Sequence, residues 1–457
     1  MQGLKNIGQG AFWMIAFCAA FFSVKLKVPF TNSGELTVGL AELWGIAAAV
    51  YVLFYLLKSY KTLTRDRKIL IWAAVLSQGT LLLIWLSRAA FFALELKSLL
   101  VLEANACVLS FFFLILLDMF QARRVLLFLS LFCAFLGVVS VGLILFLPQS
   151  ITDLVLVNTP HLDLLLWSHA IRTFLLLVCL PLSMMNCFFD RTRRSVLLFA
   201  VHFIALVICA MISGARLNYV CVPLGVLFLC AVILRFKSGK RGWAIVGACG
   251  AFLAAVIAVF AIAPHHMLTY TQLTRLEISN RVIEVLDITY APQDTQEDDP
   301  LTDQSALEEM LQQAAGSAEQ SALSRERMWS LALADIREAP LFGRGLVQYA
   351  FTFENGGTLY MQAHNFLLEY VLAFGIVGFL FWLLMMAAPV WLMLKGSRCG
   401  VLTSLPAWTL GCALFFAFCG AFLQPYFLYS GVMLFVFVAM GLCYRLSLEQ
   451  APQRGEG

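Results

Sequence analysis

Residues 364–378 read His-Asn-Phe-Leu-Leu-Glu-Tyr-Val-Leu-Ala-Phe-Gly-Ile-Val-Gly, and they mark the point where a long polar segment gives way to a strongly apolar helix. The polar segment covers residues 264–363, and apolar residues dominate the chain on both sides of it. Of the 457 residues, 61% are hydrophobic and 13% are charged, and the mean hydropathy is +0.86. Most of the chain is therefore predicted to lie in a lipid bilayer, with one large loop in water.

Twelve segments are apolar enough to cross a membrane as helices, each close to the span of about 20 residues that a bilayer requires. They are residues 10–31, 36–57, 69–90, 98–118, 125–147, 162–183, 195–213, 217–235, 242–263, 365–393, 404–423 and 425–445. The first segment follows Lys5 and has no small-residue cleavage site, so it is predicted to be a retained span and not a signal peptide. The predicted fold class is all-α: a polytopic membrane protein of about twelve transmembrane helices, with one large outward-facing loop that contains short helices.

Basic residues are concentrated in alternate connections, and this asymmetry predicts the orientation. The basic set consists of Lys58, Lys61, Arg65, Arg67, Lys68, Arg123, Arg124, Arg191, Arg193, Arg194, Arg235, Lys237, Lys240, Arg241, Lys395 and Arg398. These connections and both termini are predicted to be cytoplasmic, so the loop 264–363 faces outward. The predicted domains are an N-terminal bundle of about nine helices (1–263), the loop (264–363), and about three helices with a short cytoplasmic tail (364–457). The net charge of +4 is a signal of topology and gives no indication of nucleic-acid binding.

The outer loop carries fifteen acidic residues, six arginines and no lysine. Its acidic run Glu297, Asp298 and Asp299 lies just before Pro300, in a stretch rich in turn-forming residues. A divalent cation could in principle bind there, but no glycine-punctuated ligand spacing surrounds the run. A solvated linker is the better interpretation, and no metal or cofactor is predicted.

The end of the loop is predicted to form an amphipathic helix over residues 322–338. Ser324 can cap it, Glu326 suits its first turn, and Pro340 prevents its continuation. At helical spacing, one apolar face contains Met328, Trp329, Ala332, Leu333 and Ile336. Arg325 projects from the middle of that face, whereas Arg327 points nearly the opposite way. Arg325 is therefore predicted to meet an anion under the helix, with a lipid phosphate or a structural carboxylate as the plainer alternative.

A short glycine-containing loop, Leu-Phe-Gly-Arg-Gly-Leu, follows Pro340 at residues 341–346. Gly343 and Gly345 permit a tight turn on either side of Arg344. Exposed backbone N–H groups in such a turn could bind phosphate oxygens, but a single Gly-x-Gly is weak evidence for this. An ordinary turn is the better interpretation, and Arg344 is kept as a supporting candidate.

Several ionisable residues lie at the predicted outer ends of spans, where they require an explanation. Arg216 stands between two spans, and its alternatives are a ligand-binding role or interfacial snorkelling. His169 and Arg172, one helical turn apart, either join the same site or anchor a helix end. His202 lies alone on an apolar face and is interpreted as a satisfied core residue.

His364 is the strongest candidate for chemistry because of the residues that follow it. Asn365 can cap the next helix or orient the imidazole, and Glu369 lies five residues further on. Gly375 and Gly378 are one helical step apart and are predicted to let a neighbouring helix pack closely.

Together these features resemble the O-antigen ligase and polymerase family of bacterial membrane glycosyltransferases. The resemblance rests on Arg325-x-x-x-Trp329, then Pro340-Leu341-x-Gly343-x-Gly345, then Ala363-His364-Asn365 followed by Gly375 and Gly378. The motifs occur in the expected order at the end of a large outer loop, and the hydropathy layout extends the similarity over nearly the whole chain. The family often has Ser-Arg-Gly at the rim arginine, whereas this chain has Gly214-Ala215-Arg216-Leu217.

The resemblance implies an enzyme of the bacterial inner membrane with its active site on the periplasmic side. Such an enzyme moves a glycan from undecaprenyl pyrophosphate to a hydroxyl of a glycolipid or glycan acceptor. Carried over to this chain, His364 activates the acceptor and Arg216 and Arg325 bind the donor pyrophosphate. The possible supporting residues are Asn365, Arg327, Arg344, Arg172, His169 and Glu369. The expected partners are the lipid-linked donor, the acceptor and membrane lipids.

Three alternatives remain at this stage. A ligase transfers to a lipid A–core sugar and a polymerase to another lipid-linked repeat; one dominant outer loop favours the ligase. A protein-glycosylating relative is a further option, although no added domain is visible after Arg445. A transporter or lipid flippase would suit twelve helices, but the two halves show no internal repeat and the charges concentrate at one rim.

Overall fold

Helices make up most of the part of the chain that the structure, a computed structural model, describes. The described residues are 2–22, 24–31, 34–89, 107–146, 155–158, 162–165, 169–190, 192–212, 216–236, 247, 250, 328–345, 349–352, 358–361, 363, 365–396, 404–423 and 430–450. Within them, the helices before the outer loop are α1 (Gln2–Phe22), α2 (Leu40–Ser59), α3 (Arg65–Ala89), α4 (Cys107–Leu116), α5 (Ala122–Phe146), α6 (His169–Asp190), α7 (Arg193–Ile212) and α8 (Arg216–Arg235). The later helices are α9 (328–338), α10 (Phe366–Gly396), α11 (Leu405–Leu423) and α12 (Ser430–Gln450).

The apolar composition of these helices supports the predicted membrane bundle. Among the described residues, seven helices are long and apolar enough to cross a membrane, and four shorter helices are also apolar. Every predicted span except residues 242–263 overlaps one of these helices, and that span lies almost wholly outside the described residues. The helical membrane class is therefore confirmed, while the count of twelve spans and the domain boundaries stay predictions.

Two helices, α6 and α12, form the centre of the bundle. Helix α6 packs against α5, α7, α8, α11 and α12, and α12 also packs against α1, α2, α5, α10 and α11. Their membrane-crossing segments are the most buried of the seven, whereas α2 is the least buried and presents apolar side chains outward. An apolar outer surface of this kind fits lipid, in which exposed leucine and phenylalanine cost nothing.

Six short strands lie in the connections and were not part of the all-α prediction. They are β1 (Val24–Thr31), β2 (Gly34–Gly39), β3 (Val155–Asn158), β4 (Leu162–Leu165), β5 (Tyr349–Thr352) and β6 (Thr358–Met361). The first four form an antiparallel sheet in the order β2-β1-β4-β3, in which Lys25 pairs with Gly39. Strands β5 and β6 form a separate hairpin within the outer loop.

The strands correct three predicted span boundaries. The predicted spans 10–31, 36–57 and 162–183 run into residues that form β1, β2 and β4. In β1 the residues Val-Lys-Leu-Lys-Val alternate apolar and polar with a period of two, which is typical of a strand. Pro29 further opposes a helix at that point. The prediction of spans from average hydrophobicity missed these strands, because an average over many residues does not detect such alternation.

The connections predicted to lie on one side of the membrane meet at one end of the bundle. Asp118, after α4, accepts a hydrogen bond from Arg67 of α3 (2.6 Å) and forms an ion pair with Arg445 of α12. Arg123 of α5 pairs with Glu449 of α12 at 3.0 Å. The connections assigned to the other side, 24–39 and 155–165, share one sheet. This pairing agrees with the predicted alternation, and which end faces the cytoplasm stays a prediction.

Candidate active site

The start of α10 is fixed by Asn365, the residue that follows His364. The Oδ1 atom of Asn365 accepts hydrogen bonds from the backbone N–H groups of Leu367 (3.0 Å) and Leu368 (3.3 Å). Asn365 is therefore the N-cap of α10, which was one of its two predicted roles, and such a cap stabilises a helix by about 1 kcal/mol. His364 itself lies outside the described residues, but Ala363 and Asn365, its two neighbours, are both buried.

Helix α9 packs directly against this region. The indole Nε1–H of Trp329 donates a hydrogen bond to the backbone carbonyl of Ala363 at 2.8 Å. Next to this bond is a small apolar cluster between α9 and the start of α10. Its buried residues are Ala332, Ala363 and Leu372, and Trp329, Ile336 and Leu368 pack around them. The predicted apolar face of this helix is therefore confirmed, except that Leu333 is 46% exposed and lies outside it.

Helix α10 is interrupted at Gly375. Its φ of +68° and ψ of −178° are not helical and belong to a region that only glycine adopts without strain. In an unbroken helix the N–H of Ile376 would donate to the carbonyl of Leu372, and the N–H of Val377 to that of Ala373. The interruption removes these bonds in the first third of an apolar, membrane-crossing helix, where unpaired backbone groups are costly.

The loop after Pro340 supplies the missing partners. The N–H groups of Ile376 and Val377 donate to the carbonyls of Pro340 (2.9 Å) and Leu341 (3.2 Å). In return, the carbonyl of Leu372 accepts from two N–H groups of the loop, those of Arg344 (2.8 Å) and Gly345 (3.0 Å). The glycine turn predicted here is thus docked into the gap of α10.

Gly378 has the packing role predicted for it, whereas Gly375 does not. A Cβ atom added at Gly378 would lie 2.5 Å from the Cβ of Phe374 and 3.0 Å from a methyl group of Leu81 in α3. A Cβ at Gly375 would instead clash with the backbone of Leu341 and Phe342. The absence of a side chain at Gly378 allows α3 to pack closely, and its absence at Gly375 allows the loop after Pro340 to approach the backbone of α10.

Arg344 is held by two carboxylates of α9. Its Nη1 atom donates to Asp335 Oδ1 at 2.9 Å and to Glu338 Oε2 at 2.6 Å, and its side chain is about half exposed. These contacts join the loop to the helix that precedes it. The phosphate contact considered for Arg344 stays a prediction.

Arg172 and Glu369 are both buried in the first turn of a helix. Arg172 is 1% exposed in α6 and Glu369 is 2% exposed in α10, and they are the only fully buried Arg, Lys, Asp or Glu side chains in the described part of the chain. Both helices begin on the side predicted to be outer, and both pack against α11 and α12. Buried charges within a membrane are costly, so the presence of both residues at the end of the bundle that is predicted to be outer requires an explanation.

The remaining predicted site residues are placed only in part. Arg216 and His169 are the first residues of α8 and α6, with only their backbone described. Arg325 and Arg327 lie outside the described residues, as His364 does. The structure therefore brings Trp329, Arg344 and Asn365 to the contact between α9 and α10. Glu369 is buried nearby in the first turn of α10, and the convergence of Arg216, Arg325 and His364 stays a prediction.

His202 is a core residue, as the sequence indicates. Its Nε2 lies 2.9 Å from the carbonyl of Leu176 and its Nδ1 2.8 Å from the hydroxyl of Ser183. A carbonyl can only accept, so Nε2 carries the proton and Nδ1 accepts from Ser183. Both ring nitrogens are satisfied in a fully buried bridge between α6 and α7. Among all the residues that the structure describes, no three His, Cys, Asp or Glu side chains are grouped so that they could hold a metal ion.

Comparison with known families agrees with this layout. Residues 201–383 match the family model described as O-antigen ligase. The match runs from α7 through the outer loop into α10, so it includes Arg216, Arg325 and His364 but neither His169 nor Arg172. A comparison with curated proteins gives no match. This match confirms, over residues 201–383, the family resemblance seen in the motifs. Members of this family are membrane glycosyltransferase-like enzymes.

The sequence reading missed the docking of the loop into α10. Three glycines carry it, Gly343, Gly345 and Gly375, with φ values of +70°, +108° and +68°. The available signal was a glycine in the middle of a predicted membrane helix, where glycine weakens the helix relative to alanine. The sequence pattern assigned Gly375 to helix packing together with Gly378. Of the two, only Gly378 leaves room for another helix, because an added Cβ there would approach Leu81 of α3.

Proposed function

We propose that the chain is an O-antigen ligase-like glycosyltransferase. It moves a glycan from undecaprenyl pyrophosphate to a hydroxyl of a lipid A–core sugar on the periplasmic face of the bacterial inner membrane. The bundle 1–263 and the helices of 364–457 hold the site, and the loop 264–363 covers it. The donor, the acceptor and the surrounding lipids are the partners of the reaction.

The proposed chemistry is a direct displacement at the anomeric carbon. His364 takes the proton of the acceptor hydroxyl while the oxygen forms a bond to that carbon. The bond from the anomeric carbon to the pyrophosphate oxygen breaks, and the electron pair leaves with undecaprenyl pyrophosphate. Arg216 and Arg325 bind the pyrophosphate through paired N–H donors and offset its growing charge without a metal. One displacement inverts the anomeric configuration.

The observation that carries the proposal is the hydrogen bond from Trp329 Nε1 to the carbonyl of Ala363 at 2.8 Å. Trp329 follows Arg325 by four residues, and Ala363 directly precedes His364, so the bond joins the two motifs of the proposed site. The buried face of α9 gives further support, since Met328, Ala332 and Ile336 are all turned inward. If the helix continued one turn toward its N terminus, residue 325 would lie on the same face.

The remaining supporting residues have proposed roles that follow from their positions. Asn365 holds the first turn of α10, and Arg344 holds the loop to α9. Glu369 and Arg172 supply buried charge at the outer end of the bundle. His169 lies one turn before Arg172 and Arg327 lies two residues after Arg325, so both are assigned to the rim of the site.

Deletion of the gene, with the glycolipids separated on a gel, tests the proposal. A ligase predicts loss of all long-chain glycan from the core together with accumulation of lipid-linked polymer. Complementation with the wild-type chain should restore the profile, and His364→Ala at equal membrane levels should not. An unchanged profile after deletion would contradict the proposed function.

The polymerase of the same family is the alternative, and the same gel separates the two. A core that carries a single repeat after deletion indicates a polymerase. A transporter or lipid flippase is a second alternative, and it predicts that purified protein transfers no sugar to an acceptor. The location of Arg172 and Glu369 at one end of the bundle favours a site at the membrane face over a path through it.

A further inference from the structure

The loop of residues 340–345 takes the place of a helical turn in α10. Four backbone hydrogen bonds of 2.8 to 3.2 Å cross between the loop and residues 372–377. Each of these bonds involves a backbone group of α10 whose partner within the helix is lost at the interruption. The loop supplies a new partner for that group. The backbone of the loop and that of the membrane helix therefore form one hydrogen-bonded unit.

Glycines on both sides of the contact make this approach possible. A Cβ atom added at Gly343 would meet the carbonyl of Leu372 and lie 2.6 Å from the backbone nitrogen of Gly375. A Cβ at Gly375 would clash with the backbone of Leu341. In both positions the obstacle is backbone and cannot rotate away as a side chain can. The two glycines form a complementary pair, and a side chain at either one would push the loop out of the helix.

The same loop fixes α9 relative to α10. Helix α9 is held at its C-terminal end by the loop, which Arg344 ties back to Asp335 and Glu338. Near its first described turn it is held by the bond between Trp329 and Ala363. Two attachments at opposite ends of a helix of three turns fix both its position and its rotation.

We propose that residues 340–345 are a positioning element that sets α9 against the outer part of α10. This inference rests on the proposed function, because α9 leads back to Arg325 and α10 begins next to His364. In this role the loop acts by setting the distance between the group that binds the donor and the group that activates the acceptor. The positioning residues are Gly343 and Gly375.

The kinetic consequence differs from that of a lost binding residue. Displacement of the loop changes neither of the two groups themselves, so donor binding is largely kept. The two groups are no longer aligned for the same reaction, and a misplacement of about 1 Å can lower a rate by about 100-fold. The transfer rate should therefore fall while the affinity for the donor stays nearly the same.

The experiment compares Gly375→Ala and Gly343→Ala with Gly79→Ala and Gly411→Ala. The two control glycines lie in α3 and α11, and an added Cβ meets no atom within 4 Å at either. The purified full chains are placed in lipid, donor-binding sites are counted by titration with undecaprenyl-pyrophosphate-linked glycan, and transfer is measured per binding site. Expressing the rate per site removes any loss that arises from unfolded protein.

We expect the rate per site to fall roughly tenfold or more in the Gly375 and Gly343 variants, and to remain at the wild-type value in both controls. Equal rates per site in all four variants would overturn the positioning role. If the wild-type chain itself transfers no glycan, the proposed function fails, and this outcome is distinct from the first.

Amide hydrogen exchange of the wild-type chain tests the same inference when a variant does not fold. The N–H groups of Arg344 and Gly345 are bonded to Leu372, although the Arg344 side chain is exposed. We expect them to exchange as slowly as the amides within α9. Rapid exchange would overturn the proposal, because the loop would then not be held in the gap.

Discussion

Replacement of Trp329 by phenylalanine should lower the transfer rate by removing one hydrogen bond between the two motifs. The indole Nε1–H of Trp329 donates to the carbonyl of Ala363 at 2.8 Å, and the ring is partly buried against α10. Phenylalanine keeps most of the apolar contact but has no donor. The net contribution of such a bond is about 1 kcal/mol, which corresponds to a change of roughly fivefold if all of it is expressed in the transition state.

Trp72 provides a matched control. Its indole Nε1–H also donates a hydrogen bond of 2.8 Å, to the hydroxyl of Tyr60, and the residue is 54% exposed. Trp72 lies in the N-terminal third of α3, whereas the residue of α3 next to Gly378 is Leu81. Trp72→Phe therefore makes the same chemical change far from the contact between α9 and α10. Transfer is measured with purified chains in lipid vesicles, at saturating donor and acceptor, and normalised to the folded protein recovered.

The expected result is a fall of roughly fivefold for Trp329→Phe and no change for Trp72→Phe. Melting curves in detergent should show only a small loss of stability for either variant, since each loses a single bond. Wild-type transfer by Trp329→Phe would refute the reasoning, because the bond to Ala363 would then not affect the alignment of the site. A similar loss in both variants would show that the effect is general and not local.

Three further predictions concern the proposed base, the donor site and the packing of α10. His364→Ala should lower transfer by about 100-fold or more at normal membrane levels, the usual contribution of a general base; full transfer would exclude that role. Arg325→Ala should raise the apparent KM for the donor by about tenfold, as expected for a lost charged hydrogen bond, and Arg327→Ala should have little effect; equal small effects would reject the assignment by helical periodicity. Gly378→Ala should destabilise the chain by about 1–3 kcal/mol through overpacking, whereas Gly79→Ala should be neutral or slightly stabilising; thermal unfolding in detergent measures both, and equal midpoints would contradict the close packing of α3 on α10.

The membrane helices could be predicted from the sequence because hydrophobicity acts over whole segments. A run of about 20 apolar residues has few alternatives to a membrane-spanning helix, since lipid offers no partner for backbone polar groups. Residues 366–396 and 405–423 follow this rule closely. The predicted ends of the spans were less accurate where polar and apolar residues alternate over a short stretch. Such alternation favours a strand over a helix, as at Lys25 and Lys27 in β1. An average over a long window does not detect a period of two.

The local geometry of the site could be predicted only where one residue determines it. Asn365 caps α10 because a side-chain oxygen two or three residues before unpaired N–H groups can reach them without help from the rest of the fold. The break at Gly375 depends on a second segment, residues 340–345, thirty or more positions earlier in the chain. No local pattern indicates which segment will supply the missing partners, so the sequence alone favoured the simpler interpretation of helix packing.

The interruption of α10 also gives its first third a contact that a continuous helix would not have. A continuous helix from 366 to 396 would pair the backbone groups in its middle within the helix, and residues 340–345 would then have no free backbone partner there. Interruption at Gly375 exposes the carbonyl of Leu372 and the N–H of Ile376, and the loop binds both. The energy that a broken membrane helix would lose is thus recovered through a contact with the outer loop. In this way a single glycine couples the polar segment before α10 to an apolar membrane helix, as the proposed positioning of α9 against α10 requires.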